Sequence, residues 1–271
     1  MTPTRSSDAN VFARLTGRDR IWAISSIHGE SRRLASVHAA IAARLQPGDG
    51  LVYLGNFLGR GSDVRGTFDE LLAFRLGFLA RPGTFACDVA YLRGSQEEMW
   101  QKLLQLQFAP NPFQVLEWMI DHGLGPTLAA YGGDLRQGQL AARDGAVSIT
   151  RWTNGLRAAL NSAPGHANLM TALRRAAFTG DDGVLFVNAG LDPSRPLTAQ
   201  SDSLWWGGAN FLDLEQPYGG FRRVVRGYDR HHGGIQETRY AVSLDRGAGF
   251  GGPLVAACFD PSGSLLTTLE V

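Results

Sequence analysis

The stretch Leu51-Val52-Tyr53-Leu54-Gly55-Asn56-Phe57-Leu58-Gly59-Arg60-Gly61 decides the fold class of this chain. Its four leading apolar residues predict a short buried strand, which ends at a glycine-rich loop. The turn signal Pro47-Gly48-Asp49-Gly50 precedes the strand, and the segment Phe68 to Leu79 after the loop has the composition and length of a helix. The segment therefore predicts a strand, a loop and a helix in succession.

The same unit occurs on both sides of this segment. Upstream, Ile21 to Ser25 predicts a strand, and Ser31 to Leu45 predicts a helix because its apolar residues recur at helical spacing. Downstream, Ala86 to Leu92 predicts a third strand and Glu97 to Leu106 the start of a third helix. Alternating strands and helices indicate an α/β sheet whose carboxyl-end loops share one crevice. The residues that fall on these loops are Ser26, His28, Asn56, Gly94 and Ser95.

In the later part of the chain the predicted secondary structure changes twice, first to helices and then to short strands. The apolar spacing from Asn111 to about Phe178 predicts helices, and we expect a helical insertion at about 108–178 that covers one side of the crevice. Short β-type runs separated by turn residues then predict a second sheet or an antiparallel extension. These runs are Val184 to Val187, Arg223 to Val225, Tyr240 to Leu244, Leu254 to Phe259 and Leu265 to Leu269. We expect one domain at 20–271, preceded by an N-terminal arm at 1–19.

Composition excludes several classes of partner. The chain has 271 residues, 44% of them hydrophobic, and a formal net charge of +1. A nucleic-acid-binding protein usually has a clearly basic face, so nucleic-acid partners are not expected. No apolar stretch approaches the roughly 18 residues of a membrane span, so we expect no span either.

The cysteines and the first twenty residues bear on the cellular compartment of the protein. Cys87 and Cys258 lie in apolar runs that predict strands, where a free thiol behaves as a small hydrophobe. We therefore expect no disulfide framework and a cytoplasmic location. The arginines and serines of the first twenty residues could mimic a transit peptide, but Asp8 and Asp19 interrupt that composition and favour a plain surface arm.

Five segments resemble, in order, the signature blocks of the calcineurin-like metallophosphoesterases, most closely the bacterial serine/threonine protein phosphatase branch. The family blocks are G-D-x-H-G, G-D-x-x-D-R-G, L-R-G-N-H-E, V-H-A-G and G-H. The matching segments are Ala23 to Gly29, Leu54 to Gly61, Leu92 to Glu97, Phe186 to Gly190 and Val225 to Tyr228. The resemblance extends from about Arg20 to the C-terminus. It implies a two-sheet β-sandwich that is flanked by helices and carries a helical insertion.

The resemblance also implies where two metal ions would bind, and nearly all of those residues differ here. The family would place aspartates at Ser26 and Asn56, an asparagine at Ser95, and histidines at Asn188 and Tyr228. Among the positions that match the family's metal ligands, only His28 keeps the family's residue. Two divalent ions carry four positive charges, which the family offsets with carboxylates at two positions that are neutral here. We therefore expect no metal, no cofactor and no catalytic residues.

The resemblance implies that the proton-transfer apparatus is changed as well. In the family a histidine acts as general acid and an aspartate orients it, whereas this chain has Gln96 and Gly59 at those positions. A glutamine cannot exchange a proton near neutral pH. Arg60 is retained, and the corresponding arginine of related phosphatases contacts phosphate. A second phosphate-binding arginine of bacterial relatives follows a Leu-Trp pair, where Leu204 to Gly207 places a glycine.

The retained residues also have structural interpretations. His28 could be a polar residue of a turn, Arg60 could bridge loops through carbonyl groups, and Arg93 could support the fold. Asp229, His231 and His232 are the remaining cluster of possible ligands, but histidines in a glycine-flanked loop are usually exposed.

Three functional hypotheses follow. The first is a pseudophosphatase that acts as a protein-binding, regulatory or structural subunit, with Trp205, Trp206, Phe211 and Tyr218 as candidate partner contacts. A homo-oligomer is one form that such a subunit could take. The same aromatic residues could instead form a hydrophobic lid over the crevice. The second hypothesis is a weak or altered metal-dependent phosphoesterase, and the third is a sensor that binds a phosphorylated ligand through Arg60 without cleaving it.

Overall fold

Two β-sheets stacked face to face form the centre of the protein. The computed structural model describes residues 11–180, 183–208 and 211–271. The strands are β1 (Phe12–Leu15), β2 (Arg20–Ile24), β3 (Asp49–Tyr53), β4 (Val89–Tyr91), β5 (Ala176–Thr179), β6 (Val184–Val187), β7 (Arg223–Arg226), β8 (Gln236–Glu237), β9 (Ala241–Ser243), β10 (Val255–Phe259) and β11 (Leu265–Glu270). Within the described residues one sheet has the order β1-β5-β6-β7-β9-β8 and the other the order β11-β10-β2-β3-β4.

Helices cover the outer faces of this sandwich. They are α1 (Ser31–Ala42), α2 (Val64–Leu79), α3 (Ser95–Leu103), α4 (Pro112–Met119), α5 (Gly125–Ala130), α6 (Leu135–Asp144), α7 (Ala146–Ser162), α8 (His166–Thr171) and α9 (Ser203–Trp206). A π-helical turn, Ile120–Leu124, joins α4 to α5. Among the residues that the structure describes, none of the helices combines the length and apolar character that a membrane span requires.

The alternation of side chains along each strand distributes the apolar residues between separate cores. Successive residues of a strand point to opposite faces. In β2, Ile21 and Ala23 pack into the core between the two sheets, whereas Trp22 and Ile24 pack against the helices. A third apolar cluster, which includes Trp205, covers the outer face of the six-stranded sheet. Both faces of the central strands are therefore buried, which explains their nearly continuous apolar sequences.

The direction of the strands places the crevice at one edge of the sandwich. Strands β2, β3 and β4 are parallel to one another, and so are β6, β7 and β9. Because the carboxyl ends of parallel strands lie at the same edge of a sheet, their following loops converge there. The two-sheet α/β architecture predicted from the sequence is confirmed.

Several predicted boundaries need correction. The predicted arm is too long: its first ten residues lie outside the described part of the chain, but Phe12–Leu15 is strand β1, which pairs with β5. The predicted insertion also extends too far, since its last helix ends at Thr171 and Ala176–Thr179 is a strand. The third strand is shorter than predicted, and Cys87 lies exposed in the turn before it. The apolar run around Cys87 predicted a strand because composition alone does not reveal that turn.

Candidate functional site

Loops from both sheets are tied together by backbone hydrogen bonds at the crevice. The amide of Ser26 donates to the carbonyl of Gly227 at 3.0 Å, and the amides of Gly227 and Tyr228 donate to the carbonyl of Asn188 at 2.9 and 2.8 Å. The amide of His28 donates to the carbonyl of Asn56 at 2.7 Å. The loops after β2, β3, β6 and β7 therefore meet here, as the sequence predicted.

Asn56 is the centre of a neutral hydrogen-bond network. Its Nδ2 donates to Ser26 Oγ at 3.2 Å, and its Oδ1 accepts from Ser95 Oγ at 3.2 Å and from the amide of Gln96 at 3.1 Å. The side chain is completely buried, and the residue has a φ of 54°. Gly94 makes room for it, because a Cβ at that position would lie 2.3 Å from Asn56 Oδ1. Both polar atoms of the Asn56 amide are thus bonded to neighbouring loops.

Glu97 holds the loop that carries Asn56. Its Oε1 accepts from the amides of Phe57 and Leu58 at 2.7 and 3.0 Å, and its Oε2 accepts from the amides of Asn56 and Gly94 at 2.9 and 2.8 Å. Burial raises the pKa of the Glu97 carboxyl above its ordinary value, and the four hydrogen bonds oppose that shift. Each carboxylate oxygen accepts two hydrogen bonds, so the Glu97 carboxylate binds backbone amides of both loops.

Gln96 and Gly59 fit each other closely. A Cβ at position 59 would lie 2.4 Å from Gln96 Oε1, and Gly59 has a φ of 90° that favours glycine. The Gln96 amide donates from Nε2 to the carbonyl of His122 at 2.9 Å, which anchors the side chain to the π-helical turn. Gln96 Oε1 is buried without a hydrogen-bond partner among the described residues. The glutamine thus fills the space beside a residue that has no side chain.

His28 is held in an apolar environment. It is 1% exposed, and its ring meets those of Tyr228 and Phe250 edge-on at centroid distances of 5.8 and 5.5 Å. Burial lowers the pKa of His28 to about 3, the charge of Asp245 opposes this shift, and that of Arg60 adds to it. The backbone of Leu58 has a small opposing effect, although neither ring nitrogen forms a hydrogen bond of normal geometry with the described residues. His28 is therefore a neutral, buried side chain.

Asn188 and Tyr228 occupy the positions where the resemblance implied histidines. Asn188 Nδ2 donates to the carbonyl of Leu54 at 2.5 Å, while its Oδ1 is buried without a partner in the described chain. Tyr228 packs against His232 at a centroid distance of 5.9 Å. Burial raises the pKa of the Tyr228 phenol, which keeps it protonated. Neither residue offers an anionic group to the crevice.

The two retained arginines differ in their contacts. The guanidinium of Arg60 lies 4.2 Å from the ring centroid of Phe250. Its side chain forms no hydrogen bond with the part of the chain that the structure describes, although its backbone amide donates to the carbonyl of Gly123 at 3.1 Å. Arg93 Nη1 donates to Glu98 Oε2 at 3.0 Å, so this arginine braces the start of α3.

The side chains of Asp229, His231 and His232 are bonded to protein groups of their own loop, of strand β7 and of the loop after β9. Asp229 Oδ2 lies 3.1 Å from Arg226 Nη2, and His232 Nδ1 lies 2.8 Å from Asp245 Oδ2. His231 Nε2 accepts from Arg230 Nε at 3.0 Å. Across 11–180, 183–208 and 211–271, no three His, Cys, Asp or Glu side chains converge in an arrangement that could hold a metal ion.

The candidate partner-binding aromatics are mostly inside the protein. Trp205, Phe211 and Tyr218 are 4–5% exposed and pack on the outer face of the six-stranded sheet. The expectation that they are exposed contacts is wrong, because the apolar surface of β6 and β7 also needs cover. Trp206 is 40% exposed, lies 5.5 Å from Trp118 between ring centroids, and lines an open cavity of about 560 Å³ beside the crevice.

Sequence reasoning assigned no role to Glu97 or Phe250. Glu97 follows Gly94 by three residues at the start of α3, where an acid commonly accepts from free amide groups. That spacing was a usable signal, although it could not show that three of the four donors come from another loop. No local sequence pattern predicts a role for Phe250, because its contacts with Arg60 and His28 join distant segments of the chain.

Comparisons with known proteins agree on the fold. No family model matches the chain, and no curated protein matches it by sequence. The chain is similar to the solved structure of a candidate diadenosine tetraphosphatase, with a TM-score of 0.54 and 21% identity over 96% of this chain and 97% of that one. It is also similar to a protein serine/threonine phosphatase from Saccharomyces cerevisiae, with a TM-score of 0.56 and 16% identity over 96% of this chain and 83% of that one. Two sheets flanked by helices, matched over nearly the whole length to phosphatases, are the metallophosphoesterase fold.

Proposed function

We propose that this chain is a pseudophosphatase, a metallophosphatase-like protein without catalytic activity that acts as a protein-binding, regulatory or structural subunit. The observation that carries the proposal is the Asn56 network. Asn56, Ser26 and Ser95 stand where the resemblance implies metal ligands, and their side chains bond to one another at 3.2 Å. Neutral groups that satisfy one another stabilise the crevice without a cation.

The balance of charge supports the loss of metal binding. Two divalent ions in a desolvated crevice require anionic ligands, because unpaired buried charge is costly. Glu97 is the carboxylate nearest to the Asn56 loop in the hydrogen-bond network, and four backbone amides already occupy its oxygens. The residues present do not fit a dinuclear metal centre.

The pair Gln96 and Gly59 supports the loss of acid catalysis. A general acid must exchange a proton near the working pH, and an amide does not. Gln96 is anchored to the carbonyl of His122 at 2.9 Å and fills the space beside Gly59. The two positions are therefore adapted to each other without a titratable group.

Metal analysis and an activity assay test this proposal together. We expect protein purified without added metal to contain no stoichiometric Mn, Fe or Zn and to release no product from an aryl phosphate. His28→Ala should leave that background unchanged. Stoichiometric metal together with turnover that His28→Ala abolishes would favour the alternative of an altered hydrolase.

A subunit role requires a partner, and the exposed pair Trp118 and Trp206 offers one contact surface. These residues are 43% and 40% exposed and lie beside the open cavity. Exposed tryptophans are enriched at interfaces. Size-exclusion chromatography of native extract should place the chain in a complex that Trp206→Ala weakens. Elution as a lone monomer at near-native concentration would contradict the subunit role.

Arg60 favours a second candidate function, a sensor of phosphorylated ligands. Its guanidinium stacks on Phe250 and forms no hydrogen bond with the described residues, so its N–H donors can bind an anion. Calorimetry with a phosphopeptide and with a nucleotide would detect this function. Equal affinity in wild type and Arg60→Ala would remove its basis.

A further inference from the structure

A second cavity lies on the helical side of the protein, away from the open crevice. It is an open cavity with a volume of about 470 Å³, lined by residues of α3, α7 and α8 and of the segments next to them. Its apolar lining consists of Trp100, Leu104, Leu160, Ala167, Met170 and Leu173. Cavities of roughly 300–1,000 Å³ with mainly apolar walls are typical of small-molecule sites. The size and the walls suit a ligand with an apolar body.

The polar part of the lining has more donors than acceptors. Arg93 and Arg157 both line the cavity. Arg93 uses Nη1 for Glu98, and Arg157 uses its two terminal nitrogens for Asn154 Oδ1 and the carbonyl of Leu104. A guanidinium has five N–H donors, so both arginines retain donors that no described residue accepts. The indole Nε1 of Trp100, a residue that is 1% exposed, is likewise buried without an acceptor in the described chain.

The carboxylate among the lining residues already accepts hydrogen bonds from the protein. Glu97 is the acidic residue among the lining side chains, and its two oxygens accept four backbone hydrogen bonds from the loops of the crevice. A cationic ligand would therefore find no free carboxylate, whereas an anionic ligand would find two arginines. The charge of the site thus selects the sign of the ligand head group.

We propose that this cavity binds an amphipathic monoanion, a medium-chain aliphatic carboxylate whose head group lies at Arg93 and Arg157 and whose chain lies on Trp100, Leu160 and Met170. Burial of the alkyl chain supplies most of the affinity, because apolar surface leaves water. The arginines supply the selection for a carboxylate, with which a guanidinium forms paired hydrogen bonds.

The position of the cavity connects it to the crevice. Glu97 lines the cavity, and its carboxylate holds the Asn56 loop. A bound ligand therefore contacts the residue that fixes that loop. The inference does not rest on the proposed function, because the lining residues lie outside the eight positions of the degenerate site.

Calorimetric titration with decanoate tests the proposal. We expect saturable binding at one site, and affinity at least about tenfold weaker in Arg157→Gln, which removes the charge. Arg151→Gln is the matched control, since Arg151 is an exposed arginine of the same helix that does not line this cavity. Decylammonium, which has the opposite charge, should not bind.

A second variant separates loss of the site from loss of folding. Met170→Trp fills the cavity without touching an arginine, and it should weaken decanoate binding by at least about tenfold while thermal unfolding stays cooperative. The proposal is overturned if decanoate does not bind at roughly 1 mM, or if Arg157→Gln and Arg151→Gln bind it equally. Equal binding of decylammonium would overturn it as well.

Discussion

A side chain at position 59 would enter space that Gln96 already fills. The Cβ of Gly59→Ala would lie 2.4 Å from Gln96 Oε1 and would also force a φ of 90° on a residue with a side chain. The backbone conformation alone costs about 1–2 kcal/mol. We therefore expect Gly59→Ala to lower the free energy of unfolding by about 3 kcal/mol or more, measured by urea denaturation.

A double-mutant cycle separates the two contributions. In a Gln96→Ala background the overlap is removed, so Gly59→Ala should cost only the backbone part, about 1–2 kcal/mol. Additive effects of the two substitutions would show that Gln96 and Gly59 are independent. The pair would then give no support to the idea that the two positions are adapted to each other.

Glu97 stabilises the crevice through its charge and its four acceptor positions. In Glu97→Gln one oxygen becomes an NH₂ group that faces backbone amides, so two donors lose their acceptor. Each buried unsatisfied group costs about 1–3 kcal/mol, and we expect a loss of about 3 kcal/mol in urea denaturation. Glu98→Gln removes partly exposed ion pairs with Arg93 and Lys102 and should cost less than about 1 kcal/mol. Equal effects of the two substitutions would contradict this role.

At the scale of elements, α2 is joined to its surroundings by two chains of polar groups, in which the histidine and tyrosine members are buried. Adjacent residues of α2 begin them: Glu70 contacts His38 Nδ1 at 2.6 Å, and Asp69 contacts His166 Nε2 at 2.9 Å. His38 Nε2 lies 2.9 Å from the hydroxyl of Tyr53, and His166 Nδ1 lies 2.8 Å from that of Tyr131. The two chains connect α2 to α1, β3, α8 and the residue that follows α5.

The His38 chain predicts a loss of stability in acid. Burial lowers the pKa of His38 to about 3, against about 6.5 in an unfolded chain, and the Tyr53 hydroxyl favours an unprotonated Nε2. The unfolded state therefore takes up a proton first as the pH falls. This stability is fully present above pH 6.5 and is lost toward pH 3, by at most about 1.4 kcal/mol per pH unit.

Urea denaturation at several pH values measures this effect. His38→Gln should flatten the profile between pH 6.5 and 4, because the substituted residue does not titrate. His122→Gln is the control, since His122 is exposed and stacks on Trp118. An unchanged profile in His38→Gln would show that His38 does not remain neutral in the folded state.

The elements that could be predicted are those with a local pattern. Val184–Val187 was predicted residue for residue, because a short apolar run between turns has few alternatives. β1 was missed, since Phe12–Leu15 gains its order from pairing with β5, more than 160 residues away in the chain. The sequence left open whether Trp205 is a partner contact or part of a lid over the crevice, because its packing on the sheet depends on the face of β6 below it.

The candidate site was predictable in position and only partly in detail. Alternating strands and helices placed Ser26 and Asn56 on converging loops, the family resemblance added Asn188, and the structure brings these loops together. The bond from Asn56 to Ser26 and the contact of Gln96 with Gly59 depend on side-chain conformations between distant segments. A sequence pattern therefore predicts which loops form such a site, but it does not predict the hydrogen bonds between their side chains.

At the scale of the whole molecule, strand β1 is part of the domain and does not form a surface arm. Leu15 is 1% exposed and packs in the core between the two sheets, and β1 pairs with β5 along its full length. We expect Leu15→Ala to lower the free energy of unfolding by about 2–5 kcal/mol, because it leaves a cavity in that core.

Arg14→Ala provides the matched control for this prediction. Arg14 is exposed, donates to the carbonyl of Gly180 at 2.9 Å and lies over the ring of Phe178, so its loss should cost less than about 1 kcal/mol. Urea denaturation followed by tryptophan fluorescence measures both variants, and a single shared transition should persist in each. If Leu15→Ala is no more destabilising than Arg14→Ala, the sandwich is complete without β1, and the domain begins at Arg20 as its sequence first suggested.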